Sequence, residues 1–297
     1  MTAVTACLAL GGAGALLLAL RTALHRGLAP ASTVAGAQPV DLGLPAREVG
    51  LNGPRGSRLF AWYLPVDSAA AGVGLHPAAV LLHGWGGNSS DLLPAARALH
   101  GAGHGVLLLE ARNHGRSERS GTSSLPAFAD DLEHALDWLG GQPGVDARRC
   151  VALGHSVGAA AVLLVASRRP GLAAAVSISA FAHPEQVMRR WLAAYRVPYR
   201  PIGWLVNRYV ERVIGARFAN IAPLSTLPRA RCPVLLVHGR QDVTVPVSDA
   251  QALWGARGDA DVTLLERDGT HEHFDDMDGL ASDILAFLQA HAAPGPG

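Results

Sequence analysis

Short apolar runs alternate with longer segments of mixed polarity along most of the chain. Runs of four to eight apolar residues that end at glycine or polar residues are typical of strands buried on both faces. The longer segments carry apolar residues at helical spacing, as in Pro126 to Leu139. Strands that alternate with helices predict an α/β fold with a mostly parallel, doubly wound sheet covered on both faces.

Seven strands and four helices follow from this pattern. Arg58 to Leu64 suits an antiparallel strand near the sheet edge. The buried strands are predicted at 78–82, 106–110, 150–153, 174–179, 234–237 and 262–266. The helices are predicted at 126–139, 157–167, around 251–254 and at 280–289.

The segment between the fifth and sixth of these strands is too long for an ordinary connection. A structureless loop of that length is unusual inside a compact domain. We therefore predict a helical cap at about 181–230, over the carboxyl edge of the sheet, where ligands of such sheets bind. Aromatic side chains and arginines are frequent in it, and Trp191 and Trp204 are the predicted substrate-binding residues of the cap.

The N-terminus has a different composition. Thr2 to Leu20 contains no charged residue, and as a helix it would span about 28 Å, close to the ~30 Å hydrocarbon thickness of a bilayer. Residues 1–26 are predicted to be a membrane-anchor helix, and the basic flank at Arg21 and Arg26 favours a cytoplasmic globular domain. The alternative is a soluble cytoplasmic protein. Residues 27–46 are predicted to be a linker, and 47–291 the globular domain.

Charge and cysteine content narrow the possible partners. The 297 residues carry a formal net charge of +1 without a long run of either sign, so no nucleic-acid partner is predicted. Cys7, Cys150 and Cys232 match neither the spacing of a zinc site nor a disulfide framework.

A Gly-x-Ser-x-Gly pattern stands between a buried strand and a helix of small residues. It reads Gly154-His155-Ser156-Val157-Gly158. This context is typical of a nucleophile held on a sharp strand-to-helix turn, where the glycines avoid steric overlap. Ser156 is therefore the predicted nucleophile.

A glycine-rich turn follows the strand at 78–82 and reads His83-Gly84-Trp85-Gly86-Gly87. Such a turn can aim a backbone N–H at a developing oxyanion. We predict that the N–H groups of Trp85 and Val157 form the oxyanion hole and that the Trp85 side chain also binds substrate. His83 is expected to bond within its own loop.

An acid and a base follow Ser156 in chain order, each after a strand. Asp242 is the predicted acid, because its competitor Asp249 falls inside the next predicted helix. His271 is preferred to His273 as the general base, because it comes first after the Gly269-Thr270 turn, whereas His273 is expected to begin packing toward the last helix. A metal site at this His-x-His pair lacks a third nearby ligand cluster, so none is predicted.

From about Arg47 to Gln289 the chain resembles the α/β-hydrolase superfamily, within it the esterase, lysophospholipase and serine aminopeptidase-like branch. The resemblance rests on five ordered motifs: residues 83–86, residues 110–117, the turn at Ser156, Asp242 with Pro246, and residues 269–271. Glu110 stands where relatives commonly have Asp, and its expected role is to anchor the turn at 112–117. The resemblance implies no metal or organic cofactor.

The resemblance and the motifs imply hydrolysis of a carboxylic ester through an acyl-enzyme, by a Ser-Asp-His triad. The expected substrate is a small-molecule or lipid-like acyl ester. An aminopeptidase-like amide hydrolase is the first alternative. A non-catalytic binding protein on the same scaffold, or a lyase or transferase with the same triad, also stays open, because a fold does not fix a function.

Overall fold

The computed structural model describes residues 18, 21–22, 25–30, 33, 36–66 and 74–291. Within them, eight strands form one sheet in the order β1-β2-β4-β3-β5-β6-β7-β8. β1 and β2 are antiparallel to their neighbours, and β3 to β8 are parallel. The strands are β1 Arg47–Asn52, β2 Arg58–Leu64, β3 His76–Leu82, β4 Gly105–Glu110, β5 Val145–His155, β6 Ala174–Ile178, β7 Val234–Gly239 and β8 Val262–Arg267.

Helices cover both faces of this sheet, which confirms the predicted fold class. They are α1 Leu93–Gly101, α2 Leu125–Gly140, α3 Val157–Arg168, α4 Pro184–Ala194, α5 Trp204–Ile214, α6 Phe218–Ile221, α7 Pro223–Thr226, α8 Val247–Gly255 and α9 Met277–His291. α1 and α9 contribute to the apolar core on one face, and α2 and α3 to the core on the other. The predicted cap is confirmed as α4 to α7, between β6 and β7.

All seven predicted strands and all four predicted helices are present, but β1 and α1 were not predicted. In β1 only Leu51 is buried, because this edge strand is held by backbone pairing with β2. Its sequence therefore lacks the apolar run that marks the inner strands. α1 is short and buries only Leu93, Ala96 and Leu99, so its helical period is brief.

The predicted membrane helix lies outside the described residues, apart from Leu18 and residues 21–22 and 25–26. In the part of the chain that the structure describes, no helix has both the length and the apolar character needed to cross a membrane.

The end of the predicted anchor and the start of the predicted linker both contact the globular domain. The Leu28 carbonyl accepts from the Ser123 N–H at 2.7 Å, and the His25 Nε2 lies 2.8 Å from the Tyr209 hydroxyl on α5. His25 thus lies against the cap, and Leu28 lies against the loop before α2.

Candidate active site

The turn between β5 and α3 holds Ser156 in a strained backbone conformation, with φ 56° and ψ −118°. Non-glycine residues adopt such angles only where the surroundings impose them, at a cost of about 1–3 kcal/mol. The Ser156 N–H donates to the Ile178 carbonyl of β6 at 2.9 Å, which fixes the turn to the sheet.

The two flanking glycines are required by close backbone approach. A Cβ on Gly158 would lie 2.5 Å from the His83 carbonyl oxygen, and a Cβ on Gly154 would overlap the Gly158 carbonyl. Because α3 approaches β3 and β5 this closely, the serine at its N-terminus stands at the carboxyl edge of the sheet.

The side chains of Ser156, His271 and Asp242 form a continuous hydrogen-bonded chain. The Ser156 Oγ lies 3.0 Å from the His271 Nε2, and the His271 Nδ1 lies 2.7 Å from the Asp242 Oδ2. A carboxylate can only accept, so the imidazole carries its proton on Nδ1 and leaves the Nε2 lone pair for the serine hydroxyl.

Asp242 is held as a carboxylate although it is buried. Burial raises its pKa, but hydrogen bonds from His238, His271 and the Val245 N–H outweigh burial and hold the pKa below its usual value. The Oδ1 accepts from the Thr244 and Val245 N–H groups at 2.9 and 2.7 Å. The loop after β7 therefore leaves Oδ2 for His271.

The alternative acid, Asp249, performs a different task. It lies in α8 as predicted, and its carboxylate forms an ion pair with Arg190 of α4 at 3.1 Å. It also accepts from the Ala182 N–H at 3.0 Å. Asp249 thus fastens the cap to the α/β domain and does not contact His271.

A tight turn after β8 selects His271 over His273. The Thr270 N–H donates to the His273 carbonyl at 2.7 Å, and Gly269 and Phe274 form a β-bridge. This turn directs the ring of His271 inward, where it is 7% exposed, and leaves His273 exposed. The expected packing of His273 toward the last helix is therefore wrong, because Phe274 fills that position in the core.

Two unpaired backbone N–H groups flank Ser156. Neither the Trp85 nor the Val157 N–H has an acceptor among the described residues. Gly84 packs beside the nucleophile, since a Cβ there would lie 3.2 Å from the Ser156 Cβ. Val157 is the first residue of α3, whose N-terminal dipole favours negative charge at this place. The arrangement can accept an oxyanion near Ser156.

Buried side chains hold the glycine-rich turn in place. The His83 Nδ1 donates to the Gly84 carbonyl at 2.7 Å, and its Nε2 accepts from the Ala111 N–H at 3.1 Å. Burial, reinforced by the neighbouring His114, lowers the pKa of His83 to about 3. The ring is therefore neutral, and His83 supports its loop as predicted.

Glu110 anchors the turn that follows it, as predicted. Its Oε2 accepts from the Arg116 N–H, and its backbone carbonyl accepts from the Ser117 hydroxyl, both at 2.5 Å. The Oε1 accepts from the Ser89 hydroxyl at 2.7 Å. Glu110 thereby joins this turn to the segment after the glycine-rich turn.

His155 makes a contact that no sequence pattern predicted. Its Nε2 donates to the His271 backbone carbonyl at 2.7 Å, and the two rings lie 4.9 Å apart. Burial lowers the pKa of His155 and so favours the neutral ring. The side chain that precedes the nucleophile thus fixes the backbone that carries the base. A histidine inside a Gly-x-Ser-x-Gly pattern was the available signal.

Thr33 makes a second contact that no sequence pattern predicted. Its hydroxyl donates to the Gly86 carbonyl at 2.8 Å and accepts from the Asn88 side-chain amide at 3.1 Å. The segment predicted to be a linker therefore supports the glycine-rich turn. Only the folded structure reveals this, because Gly86 and Asn88 lie 53 and 55 positions after Thr33 in the sequence.

The aromatic residues predicted to bind substrate have unequal positions. The Trp85 ring stacks on Phe128 with centroids 6.4 Å apart, next to the proposed oxyanion site. Trp191 on α4 and Trp204 on α5 are 54% and 46% exposed. The Trp191 ring contacts the Tyr195 ring, and the Arg208 guanidinium lies over the Trp204 ring; both partners are on the cap, so these contacts do not bring the two tryptophans to the triad.

A cavity of 670 Å³ lies between α1 and α9 and is lined mostly by aliphatic side chains. It reaches His155, His271 and Glu272, but Ser156 is not part of its lining. This cavity therefore borders the loop that carries His271. It is not assigned as the binding site for the substrate group that reacts with Ser156.

Among the described residues, one set of side chains has the spacing of a metal site. Donor atoms of His155, His271 and Glu272 lie within 4.8 Å of one another. His155 Nε2 is bonded to a carbonyl, and both ring nitrogens of His271 face Asp242 or Ser156. A metal would have to displace these bonds, so the donor set does not fit one.

The chain is similar in sequence to known proteins. The family model described as serine aminopeptidase, S33, matches residues 76–221. An uncharacterized protein of Mycobacterium tuberculosis is 32% identical over 255 residues, which cover 85% of this chain and 83% of that protein. The sn-1-specific diacylglycerol lipase ABHD11 of Mus musculus is 39% identical over 95 residues, or 32% of this chain and 29% of the mouse protein.

A solved structure shows the same architecture. The Pyrococcus furiosus esterase Pf2001 superposes with a TM-score of 0.73 at 20% identity, over 90% of this chain and 98% of that chain. At this identity the likeness supports the fold alone. Together with the sequence matches and the eight-stranded sheet, it shows that the chain belongs to the α/β-hydrolase superfamily and is a hydrolase.

Proposed function

We propose that this protein is a serine hydrolase that cleaves a carboxylic ester, and that residues 47–291 form its catalytic domain. The observation that carries the proposal is the chain from Asp242 through His271 to Ser156, with hydrogen-bond distances of 2.7 and 3.0 Å. These are the distances at which a histidine can orient on a carboxylate and accept a hydroxyl proton.

In the first half-reaction the Ser156 Oγ forms a bond to the ester carbonyl carbon and passes its proton to the His271 Nε2. The carbonyl π electrons move to oxygen, and the Trp85 and Val157 N–H groups bind the resulting oxyanion. Each such donor lowers the barrier by about 3 kcal/mol. When the carbon–oxygen bond to the leaving group breaks, His271 donates its proton to the departing alcohol.

In the second half-reaction His271 removes a proton from water, and the hydroxide attacks the acyl-enzyme carbonyl. The bond to the Ser156 Oγ then breaks, the serine recovers its proton from His271, and the carboxylic acid leaves. Asp242 stays ionised throughout and stabilises the imidazolium.

An ester is favoured over a peptide by the charges of the cap. An aminopeptidase needs a free carboxylate for the substrate ammonium. Both cap glutamates are paired with arginines: Glu185 with Arg189 at 2.7 Å and Glu211 with Arg208 at 2.9 Å. The names of two similar proteins, an esterase and a diacylglycerol lipase, agree with an ester substrate, which includes lipid-like acyl esters.

The family description favours an aminopeptidase-like amide hydrolase as the second candidate. Rates on a panel of aryl esters and aminoacyl amides separate the two, with Ser156→Ala as the blank. Faster amide hydrolysis would reverse the preference for esters.

A fluorophosphonate probe tests the nucleophile directly. Wild-type protein should be labelled at Ser156, and Ser156→Ala should not be labelled. A folded wild-type protein that stays unlabelled and hydrolyses nothing would instead support a non-catalytic binding protein.

A further inference from the structure

Five large hydrophobic side chains are exposed on the cap. They lie on α4, on the turn that follows it and at the start of α5, and they are 46% to 66% exposed: Trp191, Tyr195, Ile202, Trp204 and Leu205. Singly exposed apolar residues are ordinary on a protein surface, but a cluster of this kind marks an interaction site. These five residues are called the cap surface below.

The two halves of the cap surface are brought together because α4 packs against the turn at 199–203 that leads into α5. The Leu192 side chain closes on Gly203, where a Cβ would lie 2.7 Å from the leucine Cδ1. Arg189 also stacks on the Tyr199 ring at 3.6 Å, which joins α4 to the turn before α5. Trp191 and Trp204 are the sequence neighbours of the Leu192–Gly203 contact, so they flank one junction.

The same part of the chain carries a strong positive charge. Residues 184–217 contain seven arginines and two glutamates but no lysine or aspartate, which gives +5 in a chain whose net charge is +1. Arg196, Arg200 and Arg212 are exposed, and none of them has a carboxylate partner among the described residues. Unpaired arginines therefore accompany the exposed aromatic rings.

We propose that the cap surface docks onto an anionic lipid surface. Tryptophan and tyrosine rings are favoured at the level of lipid headgroups, where an apolar body and a polar edge are both satisfied. Arginines beside them bind lipid phosphates and are drawn by the negative potential of anionic membranes. A second copy of the chain is a poorer occupant, because two such positive surfaces repel each other.

This mode of binding is peripheral and needs no membrane-spanning helix. The cap begins after β6, and the carbonyl of Ile178 at the end of β6 accepts from the Ser156 N–H, so the cap follows the strand end beside which Ser156 stands. Binding is measured separately from catalysis, so the proposal can fail while the proposed ester hydrolysis holds, and the reverse.

The test measures partition of the full chain, carrying Ser156→Ala, onto phosphatidylcholine vesicles with and without phosphatidylglycerol. We expect binding that requires phosphatidylglycerol and weakens at high salt. The triple variant Arg196→Gln/Arg200→Gln/Arg212→Gln should lose at least ~10-fold in partition coefficient. Ile202→Ser/Leu205→Ser should lose binding at low and high salt alike.

A matched control removes the same charge elsewhere. Arg55→Gln/Arg97→Gln/Arg148→Gln changes three exposed arginines off the cap and should bind within about 2-fold of the parent. Circular dichroism checks that the arginine variants fold. The same arginine variants are also made with Ser156 retained, and their hydrolysis of a soluble aryl acetate is a second check of folding.

Equal binding to both kinds of vesicle would overturn the proposal, as would cap variants that bind like the parent. A third refuting result is a dimer in light scattering that the Ile202→Ser/Leu205→Ser variant abolishes, without vesicle binding. That result would assign the surface to contact between copies of the chain.

Discussion

Replacing Asp242 with asparagine should stop catalysis by changing the tautomer of His271 while leaving the fold intact. The asparagine carbonyl oxygen takes the place of Oδ1, which accepts two backbone N–H groups from Thr244 and Val245. The amide nitrogen then stands 2.7 Å from the His271 Nδ1, where Oδ2 stood. Flipping the amide would set its NH₂ against two N–H donors, so this orientation is fixed.

An amide NH₂ can only donate, so His271 must offer a lone pair on Nδ1 and carry its proton on Nε2. That proton points to the Ser156 Oγ at 3.0 Å, and the histidine can no longer accept the hydroxyl proton. Loss of the base through the wrong tautomer lowers kcat by about 10⁴-fold, or about 5 kcal/mol of barrier. Backbone bonds to the side chain are retained, so the thermal midpoint should change little.

The assay is steady-state hydrolysis of an aryl ester together with the rate of fluorophosphonate labelling. Asp249→Asn is the matched control, because it changes a buried aspartate that binds Arg190 and the Ala182 N–H but not His271. This control should lose about 1–3 kcal/mol of unfolding free energy and keep kcat within about 10-fold. If Asp242→Asn keeps most of its activity, or if Asp249→Asn loses more, the assignment of the acid is wrong.

Three further predictions concern the surroundings of the triad. Gly158→Ala should lower the free energy of unfolding by about 1–3 kcal/mol and slow fluorophosphonate labelling, because the added Cβ would press on the Leu82 and His83 carbonyls. Wild-type values in both measurements would contradict this packing argument. His155→Gln can still donate to the His271 carbonyl and should keep kcat within about 3-fold of wild type. His155→Leu cannot donate and should lose about 10²-fold in kcat with KM unchanged. Equal losses in the two variants would show that this hydrogen bond does not position His271. Folding lowers the pKa of His83 from 6.5 to about 3, so between these pH values the unfolded chain binds a proton on His83 that the folded chain does not. The free energy of unfolding should therefore decrease as the pH is lowered below 6.5. Urea unfolding should show wild type losing up to about 1.4 kcal/mol per pH unit more than His83→Asn, and parallel pH profiles would refute it.

Local chemistry explains why much of the site was predictable from the sequence. The glycines around Ser156 are needed by a turn that spans five residues, and apolar runs identify the inner strands because both faces of those strands are buried. The order of serine, acid and histidine follows from loops at the same edge of a parallel sheet. The residues that form each turn or strand lie close together in the sequence, so a sequence pattern can identify them.

Contacts between distant segments explain what was missed. β1 pairs through its backbone and leaves little apolar signal. His155 reaches the His271 carbonyl across 116 positions, and Thr33 reaches Gly86 across 53. No periodicity or spacing encodes such a partner, since the contact exists only once β5, β8 and the N-terminal segment have assembled.

The sequence by itself determined seven of the eight strands, the cap, and Ser156, Asp242 and His271 as candidates, because side-chain type and spacing specify a buried strand or a tight glycine turn. Only the tertiary structure decided that Asp249 fastens the cap to the domain and that His273 faces solvent while His271 meets the serine. It also brought α4 against the turn before α5, next to Trp191 and Trp204 in the sequence. The physical reason is that hydrogen bonds and packing depend on distance in space, which the linear order of residues does not contain.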